Sequence, residues 1–127
     1  ISVFGTTNNT EIYTGRQKDS ILITGEIANS LIRGDANEDS ITINGNLRKA
    51  IINGNADNDH IIVSSAIVQS STVYGGKGID DIDVSSGAIY VNGGKDNDDI
   101  DVTSSDRHTI FIFSIKHHVA VTRNSLY

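Results

Sequence analysis

One pattern, G-x-x-[NDG]-x-D-x-[IV], constrains what this chain can fold into more than anything else in it. It reads Gly34-Asp35-Ala36-Asn37-Glu38-Asp39-Ser40-Ile41, then Gly54-Asn55-Ala56-Asp57-Asn58-Asp59-His60-Ile61, then Gly75-Gly76-Lys77-Gly78-Ile79-Asp80-Asp81-Ile82, then Gly93-Gly94-Lys95-Asp96-Asn97-Asp98-Asp99-Ile100, the copies falling about twenty residues apart. A further copy, from Gly15 through Asp19 to Ile21, reads as one residue short. A period of this size marks a solenoid, because a single coil cannot bury its apolar face alone and must stack on its neighbours.

Each period carries two strand signals. After the aspartate come Ile21-Leu22-Ile23, Ile41-Thr42-Ile43, Ile61-Ile62-Val63, Ile82-Asp83-Val84 and Ile100-Asp101-Val102. Side chains alternate across a strand, so the outer two of each triplet face inward and the middle one faces out. Ile41, Ile61, Ile82 and Ile100 should form a continuous inward ladder. A second strand precedes each glycine, around Ile12, Ile32 and Ile52, then at Thr72-Val73-Tyr74, Ile89-Tyr90-Val91 and Ile110-Phe111-Ile112. Between the strands lie plain loops such as 24–30, 44–50 and 64–71. Each coil is thus expected to have two strands, one aspartate corner and one plain corner. Position four of the pattern holds only Asn37, Asp57, Gly78 and Asp96, residue types that accept a left-handed backbone cheaply.

The segments 34–42, 54–62, 75–83 and 93–101 resemble the nonapeptide G-G-x-G-x-D-x-U-x of the repeats-in-toxin (RTX) family, which binds calcium in a parallel β-roll. The resemblance implies an all-β chain, a right-handed parallel β-roll or β-solenoid with coils of about 20 residues and one calcium-type loop edge. It departs from the family, whose coil is usually two nonapeptides with metal at both edges. The resemblance also implies Ca2+ between successive loops, held by the carboxylates of Asp39, Asp59, Asp80 and Asp98. Carbonyls at positions one, two and four would complete the shell: Gly34, Asp35 and Asn37; Gly54, Asn55 and Asp57; Gly75, Gly76 and Gly78; Gly93, Gly94 and Asp96. Calcium is a hard cation that takes six to eight oxygens. Asp80, Asp81, Asp83, Asp96, Asp98, Asp99 and Asp101 would crowd adjacent coils, and such repulsion opposes folding unless a cation lies among them. The competing reading is that glycine and aspartate only make tight turns.

The 127 residues suffice for one domain, and 10 Lys and Arg against 16 Asp and Glu leave a net charge of −6. Nucleic acid is therefore not an expected partner, since no basic stripe is present. No apolar run approaches the length of a membrane span, so no membrane insertion is expected. Cys, Met, Trp and Pro are absent. Without a Met, Ile1 reads as a processed end or the edge of a larger protein.

Arg33-Gly34-Asp35 spells an integrin-binding tripeptide, but its glycine and aspartate already serve the repeat. His117 and His118 are adjacent and so point to opposite faces of a strand. His60 occupies position seven, where other coils have Ser or Asp, and reads as a solvent-facing residue. No off-pattern residues suggest a catalytic constellation, and no enzyme is expected.

Residues 1–109 are read as solenoid coils and 110–127 as a terminal cap or docking strand. Neither end carries polar capping, which points to self-association, end to end or through the C-terminal segment. A line of Tyr74, Tyr90 and Phe111 would offer a contact surface for another subunit, a glycan or a cell surface. The function expected is that of a secreted, extracellular or cell-surface structural solenoid stabilised by calcium, part of a surface layer, adhesin or filament. The alternative is a calcium-binding accessory or secretion module of a secreted polysaccharide-active enzyme.

Overall fold

The computed structural model describes residues 1–65, 68–85, 89–104, 111–114 and 118–123. All of its regular structure is β, and every strand pair is parallel. Three sheets run along a common stack. The first contains β1 (Ser2–Phe4), β4 (Ser20–Thr24), β7 (Ser40–Asn44), β10 (His60–Ser64), β13 (Asp81–Ser85), β15 (Asp99–Ser104) and β17 (His118–Arg123), in that order. The second contains β2 (Thr7–Asn8), β5 (Ile27–Ala28), β8 (Leu47–Arg48) and β11 (Val68–Gln69). The third contains β3 (Glu11–Tyr13), β6 (Leu31–Ala36), β9 (Ile51–Ala56), β12 (Thr72–Lys77), β14 (Tyr90–Lys95) and β16 (Phe111–Ser114). The chain is a β-solenoid with coils of about 20 residues and about 5 turns.

The coil therefore has three faces where two were expected. The plain loop holds a short strand whose one inward residue, Ile27, Leu47 or Val68, is buried. One buried residue shows no alternation, so periodicity could not reveal it. The other two faces follow the alternation closely. Ile21, Ile23, Ile41, Ile43, Ile61, Val63, Ile82, Val84, Ile100 and Val102 fill the core from the first sheet, and Ile32, Ile52, Val73 and Val91 fill it from the third. Parallel in-register pairing sets like on like, with Ile61 between Ile41 and Ile82. Each such isoleucine contributes about 1.5–3 kcal/mol on burial.

The strand partners also correct the register of the first copy. Tyr13 pairs with Arg33 and Ser20 with Ser40, so Thr14 stands opposite Gly34 and Gly15 opposite Asp35. The copy is full length, with threonine in place of the first glycine. At the other end, β16 and β17 pair in parallel with β14 and β15 and so continue the stack. Val119 and Val121 prolong the columns of Ile100 and Val102 and are 39% and 44% exposed; among the described residues β17 is the last strand of the first sheet. Ile110, His117 and residues 124–127 lie outside the described residues.

Candidate metal centre

The corner joining the third sheet to the first holds the repeated aspartates. Asp39, Asp59, Asp80 and Asp98 are all at most 3% exposed and stand in one column, one per coil. Each reaches toward the coil before it. Asp39 Oδ1 accepts the backbone N–H of Asp19 at 2.8 Å, Asp59 Oδ1 that of Asp39 at 2.9 Å, Asp80 Oδ1 that of Asp59 at 2.9 Å, and Asp98 Oδ1 that of Asp80 at 3.0 Å. The carboxylates thus stitch adjacent coils together where the sheet hydrogen bonding gives way to a bend.

The second oxygen has a different environment. Oδ2 of Asp39, Asp59 and Asp80 is buried with no hydrogen-bond partner. It lies against the first glycine of its own repeat: a Cβ built on Gly34, Gly54, Gly75 or Gly93 would overlap Oδ2 of Asp39, Asp59, Asp80 or Asp98 respectively. The same added carbon on Gly34 would meet Gly54 O at 2.9 Å, on Gly54 would meet Gly75 O at 2.7 Å, and on Gly75 would meet Gly93 O at 2.5 Å. A carboxylate oxygen of one coil and a carbonyl oxygen of the next therefore flank the same small space. These first glycines have no left-handed backbone; they are glycine because the aspartate fills the place of a side chain. Positive φ falls instead at position two (Asp35 76°, Asn55 86°, Gly76 124°, Gly94 102°) and position four (Asn37 77°, Asp57 75°, Gly78 123°, Asp96 81°). The sequence pattern identified position four and missed position two, because Asp, Asn and Gly there looked unordered.

Position four forms a second, exposed column. Asp57 Oδ2 accepts the Asn37 N–H at 3.0 Å and Asp96 Oδ2 the Gly78 N–H at 3.3 Å. Asn58, at a position the pattern leaves open, accepts the Ile79 N–H at 2.8 Å through Oδ1. Asp35 Oδ1 accepts from Asn55 Nδ2 at 2.9 Å. The Arg-Gly-Asp tripeptide runs within β6, and its Arg33 guanidinium lies 5.7 Å from the centre of the Tyr13 ring.

The expected crowding of seven aspartates resolves into separate places. Asp80 and Asp98 point inward, Asp96 edges the loop, and Asp81, Asp83, Asp99 and Asp101 lie on the outer surface of the first sheet. Outside, Asp81 is met by His60 Nδ1 at 2.9 Å and Asp99 by His118 Nδ1 at 3.3 Å. Inside, burial raises the pKa of Asp39, Asp59 and Asp80, partly offset by the backbone N–H each accepts. Neighbouring carboxylates add to the rise, and Asp59 reaches about 7 and Asp80 about 6.

This donor set suits a hard cation. It is all oxygen, it carries buried negative charge, and three of its carboxylate oxygens await a partner. Among the described residues no three His, Asp or Glu side chains converge on one point. A calcium here would accordingly take one carboxylate per loop and draw its other ligands from carbonyls. Comparison with family models, with curated proteins and with solved structures found no match to this chain.

Proposed function

We propose that the chain is a calcium-stabilised structural β-solenoid that works outside the cell as a module or subunit of a surface layer, adhesin or filament. The observation that carries this reading is the column of buried carboxylates at Asp39, Asp59 and Asp80, each with an unpartnered Oδ2 beside a carbonyl of the next coil. A buried carboxylate without compensation is expensive, and the raised proton affinity of these groups is the sign of it. Calcium bound there would neutralise them, and Asp39, Asp59, Asp80 and Asp98 would hold it with the carbonyls of Gly54, Gly75 and Gly93, the Gly34 carbonyl being taken by the Thr14 hydroxyl. What the ion supplies is charge compensation and cross-linking between coils; binding energy gained only in the folded state is folding energy. The assembly half of the proposal draws support from Val119 and Val121, apolar side chains 39% and 44% exposed on the last described strand of the first sheet.

The test is a pair of thermal unfolding curves followed by circular dichroism, in excess calcium and in excess chelator, with sedimentation of the same samples. Calcium should raise the Tm and yield a concentration-dependent assembly that is lost when residues 110–127 are removed. Superimposable curves would reject the metal, and a strictly monomeric profile at high concentration would reject the assembly.

A further inference from the structure

The outer surface of the third sheet carries a shallow groove of about 370 Å³ next to the aspartate corner, lined by Asn53, Asn55, Tyr74, Gly76, Lys77, Gly94 and Lys95. Its origin is visible along position two, where Asp35 and Asn55 give way to Gly76 and Gly94. Those glycines are required, since a Cβ on Gly76 would collide with Asn55 O and one on Gly94 with Gly76 O. Their missing side chains form the floor. Lys77 and Lys95 stand in register on adjacent strands at its edge. Among the described residues the lysine and arginine ion pairs engage Lys18 with Glu38 and Arg48 with Glu26, leaving both groove lysines free. Among the described residues no carboxylate lines the groove, and Asp35, beside it, is held by Asn55 Nδ2 at 2.9 Å. Asp96, next to Lys95 in the chain, is turned to the Gly78 N–H.

In a chain of net charge −6 two adjacent lysines without an ion-pair partner among the described residues stand out. The rest of the lining is amide and aromatic. Asn53 Oδ1 is buried without a hydrogen-bond partner, and half-buried Tyr74 packs edge-on to Tyr90 with centroids 6.3 Å apart. The three aromatic positions do not form one line, because Tyr74 pairs with Asn92 while Tyr90 pairs with Phe111. An aromatic ring stacks on the C–H face of a sugar, an amide matches paired hydroxyls, and a lysine pairs with an acid group. Adjacent strands about 4.8 Å apart set the two lysines side by side, while the preceding coils carry alanine at that position. We propose that the groove binds an acidic glycan, a polysaccharide with carboxylated sugars set among neutral hydroxyls. The sparse charge favours that ligand over a nucleic acid strand, which carries a phosphate at every nucleotide and needs a continuous basic track.

The groove is independent of whether the aspartate column holds calcium; free calcium is kept in excess over the uronate, and loss of the ion would be read separately at the amides of Asp39, Asp59 and Asp80. Amide chemical shifts of the intact chain in calcium would be followed on titration with a short oligogalacturonate, a sulfated dextran, neutral dextran and oligodeoxythymidylate. The oligogalacturonate should shift residues of β9, β12 and β14 and bind in the micromolar to millimolar range. Lys77→Ala and Lys95→Ala should each weaken binding by about threefold, and together by about tenfold, with the circular dichroism spectrum unchanged. Tyr74→Ala should weaken it without altering its salt dependence. Equal binding of neutral dextran, tighter binding of the oligonucleotide or of the sulfated dextran, shifts confined to the first sheet, or no shifts at all would overturn the proposal.

Discussion

Two corners of the coil solve the same problem with different chemistry. At the turn between the second and third sheets, Ser30 Oγ accepts the Thr10 N–H at 3.2 Å and donates to Ala28 O at 2.6 Å. Ser71 Oγ likewise accepts the Ala50 N–H at 3.1 Å and donates to Gln69 O at 3.1 Å. At the aspartate corner Oδ1 accepts the N–H of the preceding coil in the same way. Both devices send a side-chain oxygen back to an otherwise unpaired backbone donor. The hydroxyl is neutral and spends its donor on a local carbonyl, so that corner is complete. The carboxylate carries charge and a second oxygen with nothing to meet it. The chain has a neutral way to close a corner and uses a charged one at a single edge, which is the physical case for an ion there.

The sharpest way to break the comparison is Gly54→Ala. Its methyl would occupy the space between Asp59 Oδ2 and Gly75 O, and overpacking of this kind costs about 3 kcal/mol. Chemical denaturation should register that loss, and calcium should restore little of it. Asp59→Ala should come next: it strands the buried Asp39 N–H at a cost of about 2 kcal/mol and reduces the calcium-dependent rise in Tm.

Asp59→Asn separates charge from hydrogen bonding. It keeps an acceptor for Asp39 and should lower calcium affinity, while improving stability in chelator at pH 8. The pH profile follows from the same groups. Asp59 and Asp80 bind protons more tightly when folded, at about 7 and about 6, than in the unfolded chain, at 3.8. Their contribution is complete below about pH 4 and is lost as pH rises through 6 to 7. In chelator the Tm component from these groups should fall between pH 5 and 8, and calcium should flatten that fall. A steeper fall with calcium would contradict the pairing of ion and carboxylate. Ser71→Ala at the neutral corner should cost only about 1 kcal/mol, equally with and without calcium. Smallest of all, His60→Ala on the outer surface should change stability by less than about 0.5 kcal/mol, as exposed pairs do.

Much of this architecture was legible because isoleucine alternates on a period of two within a period of twenty. Two nested periodicities leave few folds, and Ile21, Ile41, Ile61, Ile82 and Ile100 all lie buried where the pattern puts them. The third face was not legible, since its strands β5, β8 and β11 are two residues long and bury one apolar side chain each, Ile27, Leu47 or Val68, which sets up no alternation. Thr14 obscured the first repeat by standing where later coils have glycine. The aspartates could be found from spacing, but their direction could not. The same spacing would serve a carboxylate turned to solvent, as at Asp57, or one turned to the core, as at Asp59.

Parallel pairing of each coil on the next has a mechanical consequence. About twenty residues are wound into each coil, yet a coil adds only about 4.8 Å to the length of the stack. The same twenty residues drawn straight would span about 66 Å. Tension along the axis that peels away one terminal coil would lengthen the chain by more than tenfold the distance that coil occupied, while the remaining coils keep their contacts. A protein wound this way is short and stiff at rest, and under load it holds a long reserve of slack released one turn at a time.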